Sequence, residues 1–148
     1  MTNRFKLIPA VYLILRRNNE VLLLQRANTG YQDGKYSVIA GHMDGNELGT
    51  AAIIREAKEE AGIDLAPEAL KFVHLVHRLN KGSGDERIDI FYEAYGWSGE
   101  VLNAEPHKCS DLSWFSLDQL PDDTIPLIRN VLNSVNANRH YSEYELEP

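Results

Sequence analysis

Three glutamates are concentrated in the octapeptide REAKEEAG at residues 55–62, in a chain whose formal net charge is −7. Glu56, Glu59 and Glu60 are spaced i, i+3 and i+4, so they share one face of a helix. Like charges at i, i+4 destabilise a helix, and a bound cation would remove that conflict. The octapeptide therefore indicates either a solvated helix face or a metal site.

The residues around the octapeptide predict the helix that these glutamates require, from Leu48 to Ala61. Ile54 and Ala57 fall on the side opposite the glutamates and can pack against a sheet. Gly62 stands where a helix commonly ends in a left-handed cap. The run YSVIA and the turn GHMDGNE precede the helix, and they predict a strand and a loop leading into it.

Runs rich in branched and aromatic residues predict further strands on both sides of this unit. A hairpin is predicted where Asn18 and Asn19 separate FKLIPAVYLILRR from EVLLLQR. Other strands are predicted in ALKFVHLVHRL, RIDIFYEAYGW and DLSWFSL, and an amphipathic helix is predicted from Ile125 to Val135. Mixed strands with two helices predict an α+β layered fold.

Length and composition predict one globular domain over residues 1–148, since 148 residues with 43% hydrophobic content suffice for one core. Cys109 is the only cysteine, which favours a reducing, cytoplasmic setting. The apolar run at residues 7–15 is too short to span a bilayer. The acidic balance argues against a nucleic acid polymer as partner, because affinity for the phosphate backbone comes mainly from Lys and Arg.

The wider spacing around the octapeptide resembles a known motif. Glu47 lies six residues after Gly41, and Arg55 lies eight residues after Glu47, within GHMDGNELGTAAIIREAKEEAGI. This string resembles the Nudix box, G-x5-E-x7-R-E-U-x-E-E-x-G-U, in which U is a bulky aliphatic residue. Ala57 departs from the pattern, because it is a small residue at the first U position. The positions in register are Gly41, Glu47, Arg55, Glu56, Glu59, Glu60, Gly62 and Ile63.

The resemblance identifies the chain as a member of the Nudix hydrolase superfamily. It implies a Nudix-type α/β/α sandwich with a mixed central sheet, the box lying on a strand-loop-helix. It also implies a hydrolase that requires Mg²⁺, with Mn²⁺ as the alternative cation. By the family pattern, Glu56, Glu59 and Glu60 resemble the metal ligands, together with the backbone carbonyl of Ala40.

The same pattern assigns roles to three more residues. Arg55 resembles the residue that orients the metal-binding carboxylates through charge-assisted hydrogen bonds, with Glu47 as its partner. The general base differs among family members, so two alternatives stay open here. It is either a glutamate of the box or Glu105, from the loop NAEPHK.

Motifs that mark particular subfamilies narrow the range of possible substrates. A proline or a tyrosine past the box marks the ADP-ribose hydrolases and the diadenosine polyphosphate hydrolases, but Leu79, Asn80 and Lys81 occupy that region here. The NADH-type string SQPWPFPxS is absent as well. The chain therefore resembles the MutT-like pyrophosphohydrolases, which convert a nucleoside triphosphate, in some members an oxidised one, to a monophosphate and pyrophosphate.

Five residues are candidates for binding the substrate by this looser resemblance. Tyr31 would stack on a base, Ser37 would hydrogen-bond one, and Arg26 would reach a phosphate or lie exposed at a strand end. Asp122 and Asp123 resemble an acidic pair that reads a purine edge, although acids at a helix start also complement the helix dipole.

Two alternative functions remain at this stage. In the first, the substrate is a different diphosphate compound, such as a nucleotide sugar or a pterin triphosphate. In the second, the domain binds a nucleotide without turnover. Non-catalytic Nudix-like domains typically lose box carboxylates, and all of them are present here. The expected partner is a small nucleotide, with no membrane, and the expected assembly is a monomer or a homodimer.

Overall fold

The secondary structure follows the order predicted for a layered α+β fold. The computed structural model describes residues 3–146. Within these residues lie eight strands and two α-helices, with a short 3-10 turn at Pro67–Ala69. The strands and helices, in chain order, are β1 Ile8–Arg17, β2 Glu20–Arg26, β3 Tyr36–Ser37, β4 Ile39–His42, α1 Gly49–Ala61, β5 Lys71–Asn80, β6 Glu86–Ala94, β7 Cys109–Ser116, α2 Pro126–Asn136 and β8 Tyr141–Leu146.

The strands form a mixed sheet in which β1 is central. β1 runs parallel to β6 and antiparallel to β2 and β4. β5 pairs antiparallel with β6 and parallel with β8. β2 pairs antiparallel with β3 and β7. β4, which leads into α1, therefore lies beside β1, and β6 lies beside β1 as well.

The two faces of the sheet carry separate hydrophobic clusters, one under each helix. Successive side chains of a strand point to opposite faces, and β1 divides accordingly. The side chains in the cluster with α1 are Val11, Leu13 and Leu15. Those in the cluster with Ile128, Val131 and Leu132 of α2 are Ala10, Tyr12 and Ile14. The fold is therefore an α/β/α sandwich.

Gly62 ends α1, as predicted, and two constraints require glycine there. Its φ of 69° lies in the left-handed region, where a Cβ is strained. A Cβ at this position would also lie 3.1 Å from Cγ of Leu102. Because Leu102 packs so closely on the helix end, the loop that follows residue 100 is held against α1.

Two differences from the sequence prediction change the number of strands. The predicted strand YSVIA is two strands, because the chain changes partner at Val38: β3 pairs with β2, whereas β4 pairs with β1. β8 was not predicted, since YSEYEL has no apolar run and lies at the edge of the sheet with β5 as its partner. In the part of the chain described, no helix is long and apolar enough to cross a membrane.

Candidate active site

The glutamates of α1 face a cavity that also contains a glutamate from a distant loop. The cavity has a volume of about 430 Å³ and is lined by Glu56, Glu59, Glu60 and Glu105. Lys108 also lines it, and sequence reasoning did not find this residue. The i, i+3, i+4 spacing accounts for the three helical carboxylates. Four carboxylates around one cavity repel one another unless a cation neutralises them.

Arg55 binds several of these carboxylates at once. Its Nη2 and Nε donate to the two oxygens of Glu47 at 2.9 and 3.3 Å. Its Nη1 donates to Oε1 of Glu56 at 2.8 Å and reaches Oε2 of Glu59 at 3.5 Å. The hydrogen bonds from Arg55 lower the pKa of Glu47. Arg55 thus fixes the orientation of Glu56 through charge-assisted bonds.

Glu60 contacts the strand that precedes the helix. The backbone N–H of Ala40 donates to Oε2 of Glu60 at 3.0 Å. Burial raises the pKa of Glu60 well above its usual value, and the nearby charge of Glu56 raises it further. Burial also raises the pKa of Glu56. Both carboxylates therefore carry a penalty for ionisation that a bound cation would offset.

Because Gly41 has no side chain, it leaves room for the Glu56 carboxylate. A Cβ at position 41 would overlap the carboxylate group of Glu56. Any other residue would displace the carboxylate or shift the strand, so the first glycine of the box is explained by close packing.

Glu105 reaches the cavity because its loop continues the hydrogen bonding at the end of α1. The N–H of Leu102 donates to the carbonyl of Ala61 at 3.1 Å, and the N–H of Ala104 donates to the carbonyl of Glu60 at 3.2 Å. The Asn103 side chain donates to the carbonyl of Cys109 at 2.7 Å. The carboxylate of Glu105 makes no hydrogen bond or ion pair with any residue that the structure describes.

The donor set suits a hard divalent cation in its chemistry. The cavity offers carboxylate oxygens, which Mg²⁺ and Mn²⁺ prefer. As the side chains stand, no three acidic, histidine or cysteine residues within 3–146 converge closely enough to hold a metal ion. Arg55 engages one oxygen of Glu56 and reaches one oxygen of Glu59, so the second oxygen of each carboxylate stays available to a cation.

A second cavity of about 300 Å³ adjoins the acidic one. Ala40 and Arg26 line both cavities. Tyr31 and Ser37, two of the predicted binding residues, line the second cavity. Arg26 donates to the carbonyl of Tyr31 at 2.7 Å, and its guanidinium lies 5.5 Å from the centre of the Tyr31 ring. The structure therefore places three predicted binding residues beside the glutamates.

The acidic pair lies apart from this arrangement. Asp122 and Asp123 are exposed in the turn before α2, and neither lines the cavities described here. The wall on this side is instead apolar and is formed by Ile125, Leu127 and Ile128. The role of Asp122 and Asp123 in reading a base remains a prediction, and it would require the turn before α2 to move.

Sequence reasoning missed four further residues that line the second cavity: Tyr12, His42, Arg78 and Arg87. They come from β1, β4, β5 and β6, whose neighbouring positions in the sheet are set by pairing and not by chain order. One signal was available. Tyr12, Arg78 and Arg87 are polar residues inside runs that otherwise predict strands.

Comparisons with known proteins agree with the family resemblance and with the fold. The family model of the NUDIX domain matches residues 6–134. The NAD-capped RNA hydrolase NudC of Pseudomonas aeruginosa is 30% identical over 121 residues, which are 78% of this chain and 38% of that protein. The NudC of Vibrio atlanticus is 28% identical over 96% of this chain and 51% of its own length. The chain thus spans about half or less of the length of these relatives.

Solved structures show the same fold. A MutT NUDIX hydrolase from Burkholderia pseudomallei superposes with a TM-score of 0.79 and 26% identity, covering 87% of this chain and 98% of that one. The ORF135 protein of E. coli gives a TM-score of 0.72 and 25% identity, with 89% and 90% covered.

The sandwich with a carboxylate-bearing helix thus corresponds to a known class of hydrolases. The chain belongs to the Nudix hydrolase superfamily. The predicted family, the predicted fold and the enzyme class that this family defines are confirmed. The extent of the domain and the role of each site residue remain predictions.

Proposed function

We propose that this protein hydrolyses a phosphoanhydride of a nucleoside triphosphate, including oxidised or non-standard ones, and releases a nucleoside monophosphate and pyrophosphate. One observation carries the proposal. The cavity lined by four glutamates adjoins, at Ala40 and Arg26, a cavity that has two tyrosines and an apolar wall together with three arginines in its lining. A polyphosphate would lie in the first cavity with its nucleoside in the second.

We assign Mg²⁺, with Mn²⁺ as the alternative, to Glu56, Glu59, Glu60 and the carbonyl of Ala40. When bound, the cation neutralises phosphate charge and lowers the pKa of water. Arg55 and Glu47 hold the carboxylates in place, and Arg26 faces the phosphates at the border of the two cavities. Tyr31 offers its ring to a base and Ser37 its hydroxyl.

Glu105 is our choice for the general base. Glu56 is engaged by Arg55 and Glu60 by the Ala40 N–H, whereas the Glu105 carboxylate has no partner in the described part of the chain. A free carboxylate in the same cavity can accept a proton from the attacking water. Glu105→Gln should therefore lower kcat by about 10²–10⁴-fold. Glu100→Gln, on an exposed residue of the preceding segment, is the matched control.

A second candidate is hydrolysis of a dinucleotide or another nucleotide-linked compound. The relatives named as NAD-capped RNA hydrolases favour it, and so does a third cavity beyond Tyr31. The absence of the SQPWPFPxS string argues for the triphosphate.

Product analysis separates these functions. Triphosphates, oxidised triphosphates, nucleotide sugars and dinucleotides are incubated with Mg²⁺ and then with chelator, and the products are separated by chromatography. Pyrophosphate release from a triphosphate supports the proposal, and two monophosphates from a dinucleotide support the alternative. If the protein bound a nucleotide but hydrolysed none of these compounds, the remaining function would be that of a non-catalytic regulator.

We place the protein in the cytoplasm, as a monomer or a homodimer that acts on small nucleotides. The single cysteine and the acidic composition support this setting.

A further inference from the structure

Two arginines stand directly opposite each other where the second cavity meets the third. Arg78 of β5 and Arg87 of β6 are cross-strand partners in the antiparallel pair. Directly opposite residues point to the same face, and like charges in such a pair destabilise a sheet. Both side chains line the second and the third cavities. The sheet thus keeps two positive charges together at a place where their repulsion opposes pairing.

The carboxylates nearby do not balance these charges. Nε of Arg78 pairs with Oδ2 of the buried Asp89 at 2.8 Å. Among the residues that the structure describes, Arg87 has a carboxylate in ion-pair range only at Asp85, which is 3.9 Å away and exposed. Nη1 of Arg87 lies 3.3 Å from Nε2 of His42. Arg78 therefore has one close carboxylate, and Arg87 has only a distant one.

The outer nitrogens of Arg78 are held only weakly. Nη1 reaches the hydroxyl of Tyr31 at 3.4 Å, and Nη2 reaches the hydroxyl of Tyr12 at 3.3 Å. Both contacts are long for N–H···O hydrogen bonds, whose usual range is about 2.7–3.2 Å. An anionic oxygen would form shorter and stronger bonds with these nitrogens than a neutral hydroxyl does. The outer nitrogens of Arg78 are thus available to an incoming anion.

The three cavities adjoin one another through shared lining residues, and together they are called the trough. Ala40 and Arg26 line both the acidic cavity and the second one, and Tyr31, Arg78 and Arg87 line both the second and the third. Among residues 3–146, no aspartate or glutamate lines the second cavity. A substrate with its anhydride at the glutamates and its nucleoside in the second cavity would bring its far end to the two arginines.

We propose that Arg78 and Arg87 form a subsite for a phosphate that the substrate carries on its ribose or on a second unit, away from the scissile anhydride. The guanidinium fork matches phosphate geometry and binds it through paired hydrogen bonds. Asp89 pairs with Nε of Arg78, so a phosphate would meet the outer nitrogens of this arginine. This subsite rests on the proposed function for the positions of the anhydride and the nucleoside, and it narrows the substrate to a nucleotide that carries a further phosphate. Its test is separable from that function.

The first experiment needs no turnover. Inorganic phosphate is titrated into the whole protein with EDTA present, and the arginine Nε–H resonances are followed by NMR. We expect saturable shifts for Arg78 and Arg87, with Arg17, an exposed residue at the end of β1, unmoved. Arg87→Gln should weaken phosphate binding by about tenfold, whereas Arg17→Gln should not change it. Shifts that do not saturate, or unchanged phosphate affinity in Arg87→Gln, would overturn the subsite.

The second experiment compares inhibitors of nucleotide hydrolysis with Mg²⁺ present. AMP is compared with adenosine 2′,5′-bisphosphate and adenosine 3′,5′-bisphosphate. We expect at least one bisphosphate to inhibit about tenfold more strongly than AMP, and Arg87→Gln to abolish the difference while Arg17→Gln keeps it. Equal inhibition by all three compounds would refute a substrate phosphate at this place. Saturable phosphate binding in a protein that hydrolyses no nucleotide would keep the subsite and refute the proposed function.

Discussion

Glu60 is an acidic residue at a position where the fold removes water and adds a second carboxylate nearby. Burial and the charge of Glu56 raise its pKa, so at neutral pH the ionised form opposes folding. Glu60→Gln removes the charge but keeps an oxygen that can accept the Ala40 N–H. We expect the Tm of the metal-free protein to rise by about 2–4 °C, and turnover with Mg²⁺ to fall by orders of magnitude. Calorimetry with EDTA and steady-state kinetics measure the two effects.

Glu59→Gln is the control for the stability effect, because the Glu59 side chain is 50% exposed. Its Tm should stay close to that of the wild-type protein, although its turnover should also fall. If Glu60→Gln lowered the Tm in EDTA, burial of the charge would not be the dominant cost. If turnover were near normal in Glu59→Gln, that residue would be removed from the proposed metal ligands.

Gly41 shows how a residue without a side chain serves the site. A Cβ there would overlap the Glu56 carboxylate, so Gly41→Ala should move a proposed metal ligand while the sheet still forms. We expect kcat/KM to fall by about 10²-fold, as for a misplacement of about 1 Å. Gly96→Ala is the matched control, since a Cβ there meets nothing within 4 Å. Equal activity of the two variants would show that the carboxylate has room to move.

At the scale of elements, α1 and the loop after residue 100 depend on each other at Gly62. Alanine there would be strained at φ 69° and would press against Leu102. We expect Gly62→Ala to cost about 1 kcal/mol or more in the free energy of unfolding. We also expect faster hydrogen exchange at the amides of Leu102 and Ala104, which bond to the last turn of α1. Unchanged exchange at both amides would contradict the coupling that delivers Glu105 to the cavity.

β3 and β7 are linked by a hydrogen bond that makes stability depend on pH. The Tyr36 hydroxyl donates to Oδ2 of Asp111 at 2.6 Å. Burial, followed by this bond, raises the pKa of Tyr36 to about 12 from its ordinary 10.0. Between these values the native state keeps a proton that the unfolded chain loses, so stability falls as the pH rises through this window.

Tyr36→Phe tests this dependence. We expect the free energy of unfolding, measured with urea at pH 9, 10 and 11, to fall less steeply with pH in the variant than in the wild-type protein. Ser113→Ala removes another hydroxyl that donates to Asp111, at 2.9 Å, and it should keep the wild-type slope. The same slope in all three proteins would show that Tyr36 does not control this titration.

The sequence predicted an element well where a local pattern determines it. It predicted an element less well where the element depends on strand pairing. The spacing of Glu56 and Glu60 gave the acidic face, and Gly62 gave the end of α1. The partner change at Val38 and the edge strand β8 depend on neighbours distant in sequence. Arg78 and Arg87 were missed for the same reason, since their shared cavity exists only once β5 and β6 pair.

At the scale of the whole molecule, charge is unevenly distributed. The chain carries a formal charge of −7, and four glutamates surround one cavity, while arginines line the adjoining one. An anionic substrate is repelled by the first cavity and attracted by the second. A divalent cation would invert the sign of the first cavity, after which the whole trough would favour a polyphosphate.

This distribution predicts that Mg²⁺ stabilises the folded protein before any substrate is present. A cation that binds only the native state adds about 2.7 kcal/mol at 100 times its Kd, which corresponds to a rise in Tm of roughly 5–10 °C for a domain of this size. Calorimetry at increasing MgCl2, with the ionic strength held constant by NaCl, measures it. The rise should shrink strongly in Glu56→Gln and persist in Glu100→Gln. A Tm that does not respond to Mg²⁺ concentrations sufficient for turnover would mean that the cation arrives with the nucleotide.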